Sequence, residues 1–182
     1  NFLSALNDIA LFDSTITTYN LFSAVVSGNL NKPEEEIILY LKSYIEIHPE
    51  DIKGFLYLGN VYFKSQEYID AMHYYHRLLL IRPNHIEANL NFSKCLIELE
   101  DYPSAIDKLY IIENKDSNNF YLKYYLGYCF YKLNDYKKAI DQFTQALLLD
   151  SKDADTYYYL GRSYLVLQKK KQALESLIMS IQ

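Results

Sequence analysis

The chain contains no tryptophan, two cysteines, four prolines and five glycines in 182 residues. Gly28, Gly54, Gly59, Gly127 and Gly161 are dispersed, so no glycine-rich loop can cradle a phosphate. No apolar run approaches the ~20 residues needed to span a bilayer. No basic segment precedes an apolar one at the N-terminus, so no retained secretion signal is expected. The net charge of −5 is spread without long blocks of one sign, which offers no electrostatic footprint for nucleic acid. Lys169-Lys170-Lys171 is the single basic cluster and reads as a solvated turn. These absences point to a cytoplasmic chain with no nucleic-acid partner and no membrane insertion.

Catalytic chemistry is equally thin. No catalytic residue, metal site or cofactor is expected. His73 and His76, three apart on one helix, make at most a two-ligand face and are expected to meet solvent. His48 and His85 stand beside prolines, as turn residues do. Asn91-Phe92-Ser93 has the form of a glycosylation acceptor but falls inside a helical pattern with Phe92 toward the core.

What the chain does contain is a repeat. Leu58-Gly59, Leu126-Gly127 and Leu160-Gly161 recur in one register, with Phe92-Ser93 where the second unit requires it. Ala71, Ala105, Ala139 and Ala173 follow at intervals of 34, each twelve residues after the Gly or its substitute. A fixed period of this size marks a stacked array. Within each unit, apolar residues recur at helical intervals over two stretches, such as Phe55, Leu58, Tyr62 and then Ala71, Tyr75, Leu78. Polar turns separate the stretches at Gln66-Glu67, Glu100-Asp101, Asn134-Asp135 and Lys169-Lys170. The small residue of the first helix and the Ala of the second are expected where two antiparallel helices come within ~8–10 Å. Pro83 closes one unit, since proline cannot continue a helix interior. Each hairpin leaves an apolar flank for its neighbour to cover.

This frame gives units at 52–85, 86–119, 120–153 and 154–182, with a degenerate unit at 18–51 and an N-terminal covering helix at 1–17. In the degenerate unit Val25 and Ile37 replace the small residues. Asn31-Lys32-Pro33-Glu34-Glu35-Glu36 reads as a helix start, with proline in the first turn and acids on the positive end of the dipole. Cys95 and Cys129, 34 apart, occupy equivalent places in adjacent hairpins about ~10 Å from one another, too far for a disulfide, and are expected to be small buried side chains. The last helix ends with Leu174, Leu177, Ile178 and Ile181 still periodic, and no polar capping helix follows. The chain thus reads as a piece of a longer protein, and that flank as a candidate surface for self-association into a homo-oligomer.

These residues carry a family resemblance. Leu126-Gly127, Phe130, Ala139, Phe143 and Ala146 in one unit, Phe55, Leu58-Gly59, Tyr62, Ala71, Tyr75 and Pro83 in another, and Tyr157, Leu160-Gly161, Tyr164, Ala173 and Leu177 in a third resemble the tetratricopeptide repeat pattern. The resemblance implies an all-α, right-handed superhelical solenoid of antiparallel helix hairpins. It also implies a concave groove, lined by the first helices, that holds a peptide or helix of a protein partner.

The exposed offsets on those helices give the candidate groove: Lys53, Leu56 and Asn60; Asn91 and Lys94 beside Glu98; Tyr121, Tyr124, Tyr125, Tyr128 and Tyr131; Tyr158 and Arg162 beside Asp155 and Tyr159. Tyr19, Phe22 and Val26 would extend it. Tyrosine offers large contact area with few rotors and a hydroxyl that tolerates water. Asn60 and Asn91 match family positions whose amides grip a ligand's main chain, pairing N–H and C=O together. The clamp by which related co-chaperones hold the acidic C-terminus of heat-shock chaperones would fall on Leu56, Asn60, Asn91, Tyr121 and Tyr125, and lacks every cation. A terminal carboxylate would find no charge-assisted partner there. The expected function is therefore a non-catalytic scaffold or adaptor. The alternatives are a self-associating scaffold and the regulatory arm of a larger enzyme.

Overall fold

A computed structural model describes residues 33–181, which form nine α-helices and no strand. The covering helix of 1–17, the first half of the degenerate unit, and Tyr19, Phe22, Val25 and Val26 lie outside the described residues. The chain divides into two compact units, residues 1–83 and 84–182.

In the first unit, α1 (Glu34–Ile47), α2 (Ile52–Lys64) and α3 (Tyr68–Ile81) pack in sequence, each on the next. Glu34, Glu35 and Glu36 fill the first turn of α1, where the helix dipole favours negative charge. Pro33 stands at its N-cap. The Tyr44 hydroxyl at the end of α1 donates to Asp51 Oδ2 at 2.6 Å, while Asp51 Oδ1 accepts the Lys53 amide and starts α2. Leu41, Tyr44, Phe55, Leu58, Ala71, Tyr75 and Leu78 are buried between the three helices.

The second unit contains α4 (Ile86–Glu98), α5 (Tyr102–Glu113), α6 (Phe120–Lys132), α7 (Tyr136–Leu149), α8 (Ala154–Val166) and α9 (Lys170–Met179). Neighbours in the chain pack as neighbours in space, and α4 also touches α6, as α6 touches α8. First helices of successive hairpins therefore share one face of this unit.

The period of 34 governs local structure as well as core. First helices start at Ile52, Ile86, Phe120 and Ala154, each preceded by a residue whose side chain accepts a first-turn amide: Asp51, His85, Asn119 and Asp153. Such caps satisfy amides that have no partner within the helix. Inside each hairpin the turn carries one residue at positive φ, namely Gln66 (64°), Glu100 (61°), Asn134 (62°) and Gln168 (59°). The last turn is thus centred on Gln168-Lys169, one residue before the Lys169-Lys170 expected from sequence, because Lys170 already begins α9.

Close approach inside the hairpins falls at the expected small residue of the first helix, which faces a large side chain of the second. A Cβ on Gly59 would lie 2.5 Å from the Tyr75 ring, one on Gly127 2.7 Å from the Phe143 ring, and one on Gly161 2.8 Å from Leu177 Cγ. The glycine accommodates the large side chain sixteen residues later, and at Gly161 the Ala173 carbonyl lies 3.2 Å away as well. In the α4–α5 hairpin the place of the glycine is taken by Ser93 and that of the ring by Leu109, both fully buried. The Ser93 hydroxyl donates to the Asn89 carbonyl at 2.7 Å. Phe92 is half-buried rather than in the core, with the Lys108 ammonium 5.0 Å from its ring.

Candidate functional site

Tyrosines concentrate on α6. Phe120, Tyr124 and Tyr128 are four apart, so their side chains stand one above another on a single face of the helix. Their rings follow at 6.1 and 6.5 Å with interplanar angles of 17° and 22°, a ladder of nearly parallel rings. Tyr159 of α8 meets Tyr128 edge-on at 5.1 Å and lies against the buried Phe143 at 6.1 Å. Phe143, the side chain that excludes a Cβ at Gly127, thereby supports the site from behind.

These rings border a cavity of about 390 Å³, lined by Phe120, Tyr121, Tyr124, Tyr125, Tyr128 and Tyr159 together with Ile97, Glu98, Asp153 and Asp155. Its size falls within the ~300–1,000 Å³ usual for small-ligand sites. Glu98 closes α4 and is exposed; Asp155 lies in the first turn of α8 and is exposed too. Asp153 caps α8 by accepting the Thr156 amide at 2.7 Å. Among the described residues, the lining includes no Lys, Arg or His.

The hydroxyls respond to these surroundings. Burial pushes Tyr124 well above the ordinary tyrosine range, and the Asp155 carboxylate pushes it further. Tyr125 is raised by burial and then by Tyr121 and Glu98, and Tyr159 by burial and then by Tyr128. The rings remain neutral hydrogen-bonding surfaces at any physiological pH.

The residues predicted for the groove do not all meet there. Tyr121, Tyr124, Tyr125 and Tyr128 line the cavity; Tyr131 and Tyr158 stand beside it, against Tyr159 at 5.3 and 5.2 Å. Arg162 is engaged by this cluster, donating to the Tyr158 hydroxyl at 3.0 Å with its guanidinium 5.6 and 5.9 Å from the Tyr158 and Tyr131 rings. Asn91 and Lys94, on α4, are half-buried and outside the lining. Lys53, Leu56 and Asn60 lie on α2 of the first unit, and the Asn60 amide oxygen already accepts the Tyr75 hydroxyl at 2.7 Å. Phe120 and Asp153 were missed from sequence because both sit at the entry to a helix, where cap and first turn look like structure alone.

Among the residues predicted for self-association, Leu174, Ile178 and Ile181 are exposed by 62%, 44% and 84%, whereas Leu177 is half-buried against Gly161. His73 and His76 are exposed. Cys95 and Cys129 are fully buried free thiols, each pushed up to about 12 by desolvation. Among the described residues no cluster of three metal-ligating side chains occurs, and no helix is long and apolar enough to cross a membrane.

Comparisons with known proteins place this geometry in context. A family model described as tetratricopeptide repeat matches residues 52–85, and one described as anaphase-promoting complex, cyclosome, subunit 3 matches residues 105–180. No curated protein matches the chain in sequence. Among solved structures, MamA (residues 41 to end) from Desulfovibrio magneticus RS-1 is similar at a TM-score of 0.83 and 20% identity, over 93% of this chain and 94% of that one. YrrB, described as a TPR protein with an unusual peptide-binding site, is similar at a TM-score of 0.77 and 20% identity, over 100% and 91%. At this identity the likeness concerns the fold, an all-α array of helix hairpins. Hairpin geometry, family models and fold agree: the chain is an all-α array of tetratricopeptide-type hairpins, of which residues 52–85 match the repeat model itself.

Proposed function

We propose that this chain is a non-catalytic interaction module that holds a segment of a protein partner on the tyrosine face of residues 84–182. The observation that carries the reading is the ring ladder of Phe120, Tyr124 and Tyr128 bordering an open cavity with Tyr159. Large, rigid, half-buried rings with a polar tip supply contact area at small entropic cost, which is why tyrosine dominates binding surfaces. The fold-level relative YrrB is described as having a peptide-binding site, which accords with such a role. A partner with an acidic terminus is disfavoured, since the described lining holds three carboxylates and no cation.

The test compares capture from source extract by the unaltered chain and by a Tyr124→Ala, Tyr128→Ala variant, with circular dichroism confirming equal helix content. A partner retained by the first and lost by the second supports the reading. Equal capture by both removes the tyrosine face from consideration.

A second reading rests on the exposed Leu174, Ile178 and Ile181 of the last helix and its end, which would pair two copies of the chain. Leu174→Glu and Ile178→Glu are the informative changes, because Leu177→Glu would disrupt the contact with Gly161 and unfold the hairpin. Sedimentation that is independent of concentration would reject self-association.

A further inference from the structure

We propose that the α6 cavity is a receptor for a cationic side chain, so that the partner segment presents an arginine or lysine to it. This rests on the tyrosine-face reading and narrows it to a chemical class.

Glu98 enters from the end of α4 and Asp155 from the start of α8, so carboxylates approach from both helices that flank α6, with Asp153 beside them. The same cavity is lined by the rings of Tyr121, Tyr124, Tyr125 and Tyr128. Several cations of this unit already lie on rings: Lys138 is 5.1 Å from Phe130, Arg162 within 6 Å of Tyr131 and Tyr158, and Lys132 5.7 Å from Tyr102 and from Tyr128, the one cavity ring among these. The lining itself combines negative charge with aromatic surface and, among the described residues, includes no Lys, Arg or His.

That combination discriminates between ligands. A guanidinium or ammonium can lie against a ring and bond a carboxylate at once, and both attractions strengthen as water leaves the cavity. An acidic side chain would meet like charge, and a purely apolar one would leave the carboxylates desolvated without a partner. Arginine fits better than lysine, since a planar guanidinium stacks on rings and grips a carboxylate bidentately. Tyr124, raised first by burial, is raised further by Asp155, which reports the same negative field from the protein's side.

The experiment is selection of a phage-displayed random nonapeptide library on the full chain, followed by affinity measurement of a selected peptide in four proteins. These are the unaltered chain, Glu98→Gln with Asp155→Asn, the charge-matched control Asp70→Asn with Asp107→Asn, and Tyr124→Ala with Tyr128→Ala. The expected result is enrichment of arginine or lysine, with binding weakened about tenfold or more by the Glu98 and Asp155 changes and little by the control, and with replacement of the peptide's arginine by citrulline losing as much. Selected peptides without cations that still depend on Tyr124 and Tyr128 would overturn the cation assignment and leave the tyrosine face standing. Equal weakening by the control pair would reduce the attraction to net charge and overturn it too. Peptides indifferent to every change, or no selection at all, would overturn both readings.

Discussion

Gln66, Glu100, Asn134 and Gln168 hold a backbone conformation that costs an ordinary side chain about 1–2 kcal/mol and a glycine little. Gln66→Gly and Glu100→Gly should therefore raise stability by about 0.5–1 kcal/mol, and Asn134→Gly by less, since asparagine tolerates this region. Urea denaturation of the three variants checks the order. The opposite holds at Gly59, where an added methyl would lie 2.5 Å from the Tyr75 ring. Gly59→Ala is expected to lose about 1–3 kcal/mol, whereas Ser93, facing Leu109, shows that the same place accepts a side chain when its neighbour shrinks. The positions of these glycines were plain in the sequence. Their reason was not, because the repeated alanine and the large residue at Tyr75, Phe143 and Leu177 share one period and cannot be separated without coordinates.

At the scale of helices, caps and charges decide how firmly each element is held. Asp153→Ala removes a side-chain cap and should cost about 1 kcal/mol in thermal or chemical unfolding. Lys169 precedes α9 without any side-chain cap, so Lys169→Asp should gain a few tenths to about 1 kcal/mol. Two pH dependences follow. The Lys138 side chain and then its backbone amide hold the Asp135 carboxyl below its usual value. Its contribution is present above the ordinary carboxylate range and is lost as pH falls through it, so acid should loosen the α6–α7 turn first. Tyr124, Tyr125 and Tyr159 are displaced upward, and their contribution is complete below about pH 10 and lost as pH rises beyond it. Absorbance near the phenolate band, recorded beside circular dichroism, should show these rings ionising together with unfolding. The period of 34 recurs in the starts of the first helices, at Ile52, Ile86, Phe120 and Ala154. The cavity was half legible: helical spacing exposes the α6 tyrosines, but not which of them face Asp153 and Asp155 across the next hairpin.

For the molecule as a whole, the face that α4, α6 and α8 share gathers the rings and carboxylates of the proposed site in the second unit, on the hairpins around α6. A fragment of residues 84–182 that retained its helix content should therefore bind a groove ligand about as well as the full chain, measured by calorimetry with the same peptide. Lys53, Leu56 and Asn60 would then contribute nothing to that ligand, and a large loss on truncation would return them to the site. The sequence pattern alone could not make this division, because a repeat offers equivalent offsets in every unit and says nothing of which are filled by their own neighbours.

One of those equivalent offsets departs from the pattern. Where the first unit buries Phe55 and the last has Tyr157, α6 buries Lys123, 6% exposed, with its ammonium 2.7 Å from Glu113 of α5. Removing the carboxylate alone should cost about 2–4 kcal/mol, because it strands a buried charge. Chains built from near-copies can zip together out of step, each hairpin taking the next one's seat. Such a slip by one repeat would set Lys123 against the place of Leu79 or Leu147, where no carboxylate waits. A misplaced seat would thus strand a buried charge, and the pair tells one hairpin's proper neighbour from its near-copies.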